Sequence, residues 1–345
     1  MRILPAVLVG LLLTSAATAS VASAAELATS VDSIAIPVSD ADRASDFYTR
    51  VLGFRVVGDR EAAGADYEHF FGVFGARVRV VRLALGEEQI ELLQFLAPRG
   101  RSQPEDLRGN DRAFQHVALI VSDMDKAYAW LREHHVEHAS TGPQLLPEWN
   151  KNAGGIAAFY FRDTEGNFLE ILHFPPGKGM PRWQAHDRLF LGVDHTAIVV
   201  ADTEASLRYY RDLLGLKLAG ESENYGTEQE HLNNVFGAHL RITALRGAHG
   251  PGVELLEYLA PRTGRSIPAD SSANDRWYWQ INLVAAQPEA FYRQARAAHA
   301  TLVSGEVVEL QSPALGLGRG FVVRDPDGHA TAIATPAAAQ FPVLQ

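Results

Sequence analysis

Leu96-Ala97-Pro98-Arg99-Gly100-Arg101-Ser102 recurs later in the chain, with one residue inserted, as Leu259-Ala260-Pro261-Arg262-Thr263-Gly264-Arg265-Ser266. Asn-Asp-Arg follows both copies, at 110–112 and at 274–276. Nearly the same separation relates Glu68-His69 to Glu230-His231. Matches at one nearly constant separation indicate an internal duplication. The chain is therefore predicted to consist of two similar halves.

Each half is predicted to divide again into two modules with the order strand, helix, strand, strand, strand. In the first module, an apolar run at 31–38 is short enough for a buried strand. Asp40 or Asp42 can cap the helix that follows, and Gly53 suits the left-handed position just past its end. Further helices are predicted at 124–134, 203–214 and 288–299. Further strands are predicted at 55–57, 78–85, 89–95, 114–121, 157–161, 167–174, 193–200 and 277–284.

The boundary between the halves is marked by dense proline and glycine at 175–181, which is typical of a linker. A single module of this kind leaves one apolar face of its sheet exposed, so the modules are expected to pair. We predict that the two modules of each half form one domain and that the halves fold separately. The expected boundaries are a first domain at 25–178, a linker at 179–190, a second domain at 191–335 and a C-terminal tail at 336–345.

The N-terminus has the pattern of a secretory signal. An apolar run at 3–13 follows Arg2, and Ala22-Ser23-Ala24 fits the small-x-small pattern of a signal-peptidase site. The run is shorter than the roughly 20 apolar residues of a membrane-spanning helix. Residues 1–24 are therefore predicted to be cleaved, and the mature protein to be periplasmic or secreted and not bound to the membrane.

Composition argues against several classes of function. The chain has 31 basic and 41 acidic residues and a net charge of -10 at pH 7, without a basic stripe, so binding to nucleic acid or to a membrane surface is not expected. Because the chain has no cysteine, it has no disulfide, thiolate metal site or cysteine nucleophile. The expected partner is a small-molecule substrate or ligand, and both a monomer and a homodimer stay open.

Several short motifs together carry a family resemblance. The first helix ends in Phe47-Tyr48-x-x-x-Leu52-Gly53-Phe54, closing strands contain Ile90-Glu91-Leu92 or Leu169-Glu170-Ile171, and an Asp-Pro-Asp-Gly turn at 325–328 precedes the last strand. The combination resembles the vicinal oxygen chelate superfamily, which includes glyoxalase I, bleomycin-resistance proteins and extradiol dioxygenases. The resemblance covers nearly all of 31–335. It implies an α+β fold in which four βαβββ modules pair into two glyoxalase-like domains.

The resemblance also implies where a metal ion would bind. Family members with a metal take ligands from the first and last strands of paired modules, in a glyoxalase-like pattern of His, Glu, His and Glu. In the first half these positions hold Ser33, Glu91, His116 and Glu170. In the second half they hold His195, Glu254, Gln280 and Ala332. Neither half is complete, but the first keeps three possible ligands and the second only two.

One divalent ion is therefore predicted in the first half, bound by Glu91, His116 and Glu170. The residues themselves support this prediction, because a carboxylate within an apolar strand costs several kcal/mol unless it has a partner. Nitrogen and oxygen donors leave Fe, Mn, Zn, Ni and Co open as the ion. Glu91 or Glu170 is also expected to act as the catalytic base. Ser33 and His69, which border the implied pocket, are expected to contact the substrate.

Three functions stay open. A metal-dependent enzyme of glyoxalase type would polarise a carbonyl of a small substrate with neighbouring oxygens and move a proton, as a lyase, isomerase or epimerase. A binding protein would sequester a small molecule without catalysis, which the missing ligands in both halves favour. An extradiol-type dioxygenase would need two histidines and one carboxylate in the second half, where Gln280 and Ala332 stand instead. The glyoxalase-type enzyme is the working prediction.

Overall fold

The computed structural model describes residues 29–338. The predicted signal segment at 1–24 and residues 339–345 of the predicted tail lie outside this range, so export stays a prediction. Among residues 29–338, no helix combines the length and the apolar character needed to cross a bilayer.

All four modules have the predicted order, with short additional elements. Module one contains β1 (Ser30–Pro37), α1 (Ala41–Arg50), β2 (Arg55–Ala63), α2 (Ala65–Phe71), β3 (Arg77–Leu85) and β4 (Glu88–Ala97). Module two contains β5 (Phe114–Val121), α3 (Met124–Glu133), β6 (Glu137–His138), β7 (Gln144–Leu145), β8 (Ala157–Arg162) and β9 (Phe168–His173).

A 3₁₀ turn (Pro181–Gln184) precedes module three. Module three contains β10 (Phe190–Val200), α4 (Thr203–Leu207), a π-helical segment (Arg208–Leu213), β11 (Lys217–Tyr225), α5 (Thr227–Asn233), β12 (His239–Arg246) and β13 (Gly252–Ala260). Module four contains β14 (Gln280–Val284), α6 (Pro288–Ala297), β15 (Thr301–Leu302), β16 (Val308–Glu309), β17 (Leu317–Arg324) and β18 (Ala330–Pro336).

Local sequence explains where the first helix begins and why two helices were missed. The Asp40 carboxylate accepts hydrogen bonds from the backbone of Asp42 and Arg43, which confirms Asp40 as the cap of α1. Gly53 adopts φ +76, which confirms its left-handed conformation just beyond that helix. Helices α2 and α5 have only seven residues each and no side-chain cap. Neither helical periodicity nor a capping residue therefore marks them in the sequence.

Each of the two sheets combines one module from each half. One sheet has the strand order β15-β17-β18-β14-β1-β4-β3-β2, and thus joins modules one and four. The other has the order β11-β12-β13-β10-β5-β9-β8-β6, and thus joins modules two and three. The prediction that modules pair within 25–178 and within 191–335 is therefore wrong. We call modules one and four (30–97 with 280–336) the outer domain, and modules two and three (114–173 with 190–260) the inner domain.

Within each domain, the two modules are joined by antiparallel pairing of their first strands. In the outer domain β1 pairs with β14, and in the inner domain β5 pairs with β10. One continuous apolar core draws on all four modules, with Tyr48, Leu131, Tyr210 and Phe291 as buried members from modules one to four. The two domains therefore share this core, and neither half of the chain can complete it alone.

The repeated stretch that reveals the duplication also joins the two halves. The backbone N–H of Arg101 donates to Asp275 at 2.9 Å and its guanidinium donates to the same carboxylate at 2.7 Å. Arg265 makes the equivalent contacts with Asp111, at 2.8 Å and 2.6 Å. Both aspartates are buried. Each copy of the repeat thus supplies an arginine to the other copy's aspartate, which explains why both copies carry the same residue types.

Residues 25–178 expressed alone are expected not to reach the native structure, because β1 and β5 would lack their partners β14 and β10. The same holds for residues 179–345. Co-expressed fragments are expected to form a 1:1 complex with the far-UV circular dichroism and the single thermal transition of the intact chain. Two fragments that are each folded and monomeric on their own would restore the domain boundaries predicted from the repeat.

Candidate metal centre

Four neighbouring strands of the inner domain each contribute one side chain that can ligate a metal. These side chains are Glu170 on β9, His116 on β5, His195 on β10 and Glu254 on β13. Strand register brings them together on one face of the sheet, because Ala197 pairs with both His116 and Glu254 and Ala118 pairs with both His195 and Glu170. We call these four residues the row of ligands. The row is thus assembled from two modules that come from different halves of the sequence.

The donor atoms of these four residues lie close together. The Nε2 atoms of His116 and His195 are 3.2 Å apart. Glu170 Oε2 lies 3.0 Å from His116 Nε2 and 3.7 Å from His195 Nε2. Glu254 Oε2 lies 3.3 Å from His195 Nε2. Both histidines and Glu170 are buried, whereas Glu254 keeps 23% of its side chain exposed.

Each histidine is oriented by the residue that precedes it in the chain. Asp194 Oδ2 accepts from His195 Nδ1 at 2.9 Å, and Gln115 Oε1 contacts His116 Nδ1. Adjacent side chains of a regular strand point to opposite faces, but the register of β10 shifts at Asp194 and that of β5 shifts at Gln115. These β-bulges turn both preceding side chains toward the histidine rings.

Asp194 is itself held in place by two further side chains. The Arg246 guanidinium donates to Asp194 Oδ2 at 2.7 Å, and Trp183 Nε1 donates to Oδ1 at 2.9 Å. Trp183 is buried and belongs to the predicted linker at 179–190, so that segment is packed against the inner domain rather than free of it. Although burial opposes it, the contacts with His195 and Arg246 hold the pKa of Asp194 well below its usual range.

The arrangement of the two rings calls for a cation. A neutral imidazole that donates through Nδ1 presents Nε2 as an acceptor. Here both Nδ1 atoms face oxygen acceptors, so the two Nε2 lone pairs face each other at 3.2 Å beside two carboxylates. Such a cluster is repulsive unless a proton or a metal ion lies within it. Burial opposes protonation, yet Glu254, Asp194 and Glu170 together raise the pKa of His195 to about 9.

A divalent metal ion fits the same donors. Donor atoms that share a first-row ion at about 2.1 Å lie about 3.0–3.4 Å from one another. The separations of 3.0, 3.2 and 3.3 Å fall in that range, and the separation of Glu170 Oε2 from His195 Nε2 is somewhat longer, at 3.7 Å. Two imidazole nitrogens and two carboxylate oxygens are donors that Zn, Ni, Co, Fe and Mn accept.

The free energy of unfolding of the metal-free protein is expected to fall as the pH rises from about 6.5 to about 9. His195 has a folded pKa near 9 and an unfolded pKa near 6.5, so its stabilising contribution is complete below pH 6.5 and lost above pH 9. The loss is at most about 3 kcal/mol. Urea denaturation in the presence of a chelator measures it. The slope should become shallower in His195→Gln, where Glu91 still contributes up to its raised pKa of about 8, and should stay as in the wild type in His69→Gln. An unchanged slope in His195→Gln would contradict the assignment.

A cleft of about 500 Å³ opens beside the row of ligands. Glu254, Asp194 and Ala244 of β12 are among the residues that line it. Lys151 and Asn152, from the loop between β7 and β8, form part of its rim together with Lys178. The exposed part of the Glu254 carboxylate therefore faces the space that a small molecule would enter.

The structure separates the residues that the sequence grouped together. His116 and Glu170 lie in the row as predicted, but Glu91 lies on β4 of the outer domain. There its carboxylate accepts from Asn282 at 2.9 Å and lies 3.6 Å from Arg82. The predicted ligand set of Glu91, His116 and Glu170 is therefore wrong in Glu91. The catalytic role given to Glu91 stays a prediction that its place in the outer domain does not support.

The two residues predicted to contact substrate also lie outside the row. Ser33 is on β1 of the outer domain and accepts a hydrogen bond from Asn282. His69 is exposed on α2 of the outer domain. His195 and Glu254, which the family resemblance assigns to an incomplete ligand set in the second half, lie beside His116 and Glu170. Only the pairing of module two with module three completes the pattern.

Comparisons with known proteins agree with this architecture. The family model described as the glyoxalase/bleomycin resistance protein/dioxygenase superfamily matches residues 30–171 and 192–333. The chain belongs to this superfamily, which confirms the resemblance and the fold class predicted from sequence. A 2-epi-5-epi-valiolone epimerase from Actinomyces sp is 30% identical over 157 residues, which are 44% of this chain and 82% of that protein.

Two solved structures share the fold over almost the whole chain. Glyoxalase I from Zea mays superposes with a TM-score of 0.59 at 15% sequence identity, covering 90% of this chain and 94% of that chain. A putative dioxygenase from Bacillus subtilis subsp. subtilis str. 168 superposes with a TM-score of 0.56 at 15% identity, covering 91% and 87%. At this identity the likeness concerns the fold alone.

Proposed function

We propose that the inner domain is a metal-dependent isomerase of the epimerase type, acting on a small substrate with neighbouring oxygens. The observation that carries this proposal is the convergence of donor atoms from His116, His195 and Glu254 beside the cleft, with Glu170 3.0 Å from His116 as a further donor. The relationship to the Actinomyces epimerase supports the reaction class.

His116, Glu170, His195 and Glu254 would bind the ion. When bound, a divalent ion polarises a carbonyl and makes a neighbouring C–H bond more acidic. The orienting residues Asp194 and Gln115 hold both imidazole rings with Nε2 directed into the centre. Such outer contacts raise the basicity of the ligand nitrogen and keep the ring from rotating.

Glu254 is the better placed of the two carboxylates to accept a proton from a substrate in the cleft, because part of its side chain is open to that space. The C–H bond breaks, its electron pair moves toward the carbonyl oxygen, and the proton passes to the carboxylate. Glu170 lies on the other side of the histidine pair in strand order. Glu170, protonated at the start of the cycle, would give its own proton to the same carbon from that side as the electron pair returns from the oxygen, which inverts the centre. Exchange with water then removes the proton from Glu254 and restores the one on Glu170.

A dioxygenase of the extradiol type is the second candidate, and the same centre gives it specific support. His116, His195 and Glu254 provide the two histidines and one carboxylate that oxygenases use for Fe(II). Glu170, 3.0 Å from His116, is a fourth donor and would leave fewer positions for oxygen and substrate. This fourth donor favours the epimerase. Oxygen consumption by the Fe(II)-loaded protein with catechols would reverse the preference.

The deciding experiment is proton exchange. Protein purified without chelators is analysed for metal and then incubated in D₂O with 2-epi-5-epi-valiolone and simpler α-hydroxyketones. Deuterium incorporation next to the carbonyl, followed by nuclear magnetic resonance and abolished by metal removal, is the expected result. Tight binding of these compounds without exchange would leave sequestration as the function.

A further inference from the structure

The outer domain contains a counterpart of the metal centre with different residues in every position but one. Ser33, Gln280 and Ala332 stand where the inner domain has His195, His116 and Glu170, and Glu91 stands where it has Glu254. The register is the same in both domains: Ala35 pairs with Glu91 and Gln280, as Ala197 pairs with Glu254 and His116.

Two small residues of the inner centre correspond to long polar residues in the outer one. Ala244 pairs with Glu254 across β12 and β13, whereas Arg82 pairs with Glu91 across β3 and β4. Ala118 pairs with Glu170, and its counterpart Asn282 pairs with Ala332. Arg82 and Asn282 therefore place a guanidinium and an amide beside Glu91, whereas the guanidinium of the inner domain, Arg246, donates to Asp194.

These two side chains face the two oxygens of the buried Glu91 carboxylate, one as an ion pair and the other as a hydrogen-bond donor. The Arg82 guanidinium contacts Asp32 and lies 3.6 Å from Glu91 Oε1. The Asn282 amide donates to Glu91 Oε2 at 2.9 Å and to Ser33 Oγ at 3.0 Å. Arg82 and Glu91 are both buried, at 5% and 0% exposure. The positive charge beside the Glu91 carboxylate thus comes from the chain itself.

A loop fills the remaining space of the outer centre. In the loop at 310–316, between β16 and β17, Ala314 and Leu315 are fully buried, as is the adjoining Leu317. Gly316 at φ +67 packs so closely on the guanidinium that a Cβ there would lie 1.7 Å from Arg82 Nη1. The Tyr67 hydroxyl anchors the loop, because it donates a hydrogen bond to the backbone carbonyl of Ser312 at 2.6 Å.

The topologically equivalent loop of the inner domain has exposed residues at the cleft and does not fill it. It spans 146–156 between β7 and β8, and its residues Lys151 and Asn152 are exposed at the rim of the cleft. The buried apolar residues on this face of the inner sheet form two separate clusters, whereas those of the outer sheet form one. The outer centre is thus packed continuously, and the inner centre is open.

We infer that the outer domain carries a self-occupied copy of the centre, in which the Arg82 guanidinium takes the place of the bound cation and the loop at 310–316 takes the place of the substrate. The chain then has one centre for exogenous ligands and one that its own residues keep closed. An internal cation is what a fully buried carboxyl group requires when it ionises and no ion is supplied from solution.

The test is a double-mutant cycle between Arg82 and Glu91, measured as thermal midpoints at pH 9. This pH lies above the value of about 8 to which burial raises the pKa of Glu91, against the effect of Arg82. Arg82→Ala should lower the midpoint by about 5 °C or more, because it leaves Glu91 without its cation. Arg82→Ala/Glu91→Gln should recover a substantial part of that loss, because a neutral amide needs no cation.

Arg79→Ala is the matched control, since Arg79 lies on the same strand and forms its ion pairs with Asp42 and Asp59 at the surface. Its midpoint should change much less. A loss in Arg82→Ala no larger than in Arg79→Ala would overturn the inference. A double variant no more stable than Arg82→Ala would overturn it as well.

The reciprocal variant, Ala244→Arg, places a guanidinium beside Glu254 in the inner domain. It should lower the affinity for Ni²⁺, measured by calorimetry, by about tenfold or more, whereas Ala244→Met should lower it much less because it adds bulk without charge. Equal losses in both variants would show that bulk alone closes the centre and would overturn the role of the charge. Absence of Ni²⁺ binding in the wild type would contradict the proposed function, while the Arg82 cycle would still decide this inference.

Discussion

His195→Ala is expected to bind a divalent ion at least about 100-fold more weakly than the wild type. Loss of a group that merely orients a metal ligand already costs about 10–100-fold in affinity, so loss of a ligand costs at least the upper end of that range. His195 Nε2 lies within 3.7 Å of His116, Glu170 and Glu254, so its removal also leaves the remaining donors without their central partner. Calorimetric titration with Zn²⁺ or Ni²⁺ measures the effect.

Glu91→Gln is the control for the ligand set, because Glu91 belongs to the outer domain and contacts Arg82 and Asn282. Its metal affinity should equal that of the wild type. The opposite result, with affinity lost in Glu91→Gln and retained in His195→Ala, would restore the set of Glu91, His116 and Glu170 that the sequence favoured. Metal affinities of the two variants are compared after circular dichroism has shown that both are folded to the same extent.

Glu254→Gln is expected to lower the rate of epimerisation by about 10²–10⁴-fold, the range typical of a lost general acid–base group. An amide keeps an oxygen donor at the centre but cannot accept a proton. If Glu170 serves the opposite face, the Glu254→Gln enzyme should still exchange the α-hydrogen of the epimer whose hydrogen faces Glu170. It should no longer exchange the α-hydrogen of the other epimer. Glu170→Gln should show the converse pattern. Nuclear magnetic resonance of each epimer in D₂O distinguishes the two.

His69→Gln provides the control for substrate contact. His69 is exposed on α2 of the outer domain, so its replacement should leave the epimerisation rate unchanged. A large loss in His69→Gln would show that substrate reaches the outer domain. Equal exchange from both epimers in Glu254→Gln would show that a single carboxylate, Glu170, serves both faces.

Much of the molecule was predictable because it depends on local signals. Periodicity and capping placed α1 and α3 within three residues of their observed starts, and β5 was predicted without error. The glutamates within apolar strands marked buried carboxylates with specific neighbours, since Glu170 lies 3.0 Å from His116 and Glu91 lies 3.6 Å from Arg82. What each glutamate pairs with could not be read from its own strand, because the partner lies on a strand distant in sequence.

By itself the sequence determined four modules of one kind, their order, the superfamily and the residue present at each ligand position. The tertiary structure alone decided which modules share a sheet. First strands of all four modules are similar apolar runs that pair through backbone hydrogen bonds, and such bonds do not distinguish one partner from another. Packing of the shared core and the reciprocal Arg101–Asp275 and Arg265–Asp111 contacts accompany the nested pairing. That pairing turns two incomplete ligand sets into one complete centre and one closed by Arg82.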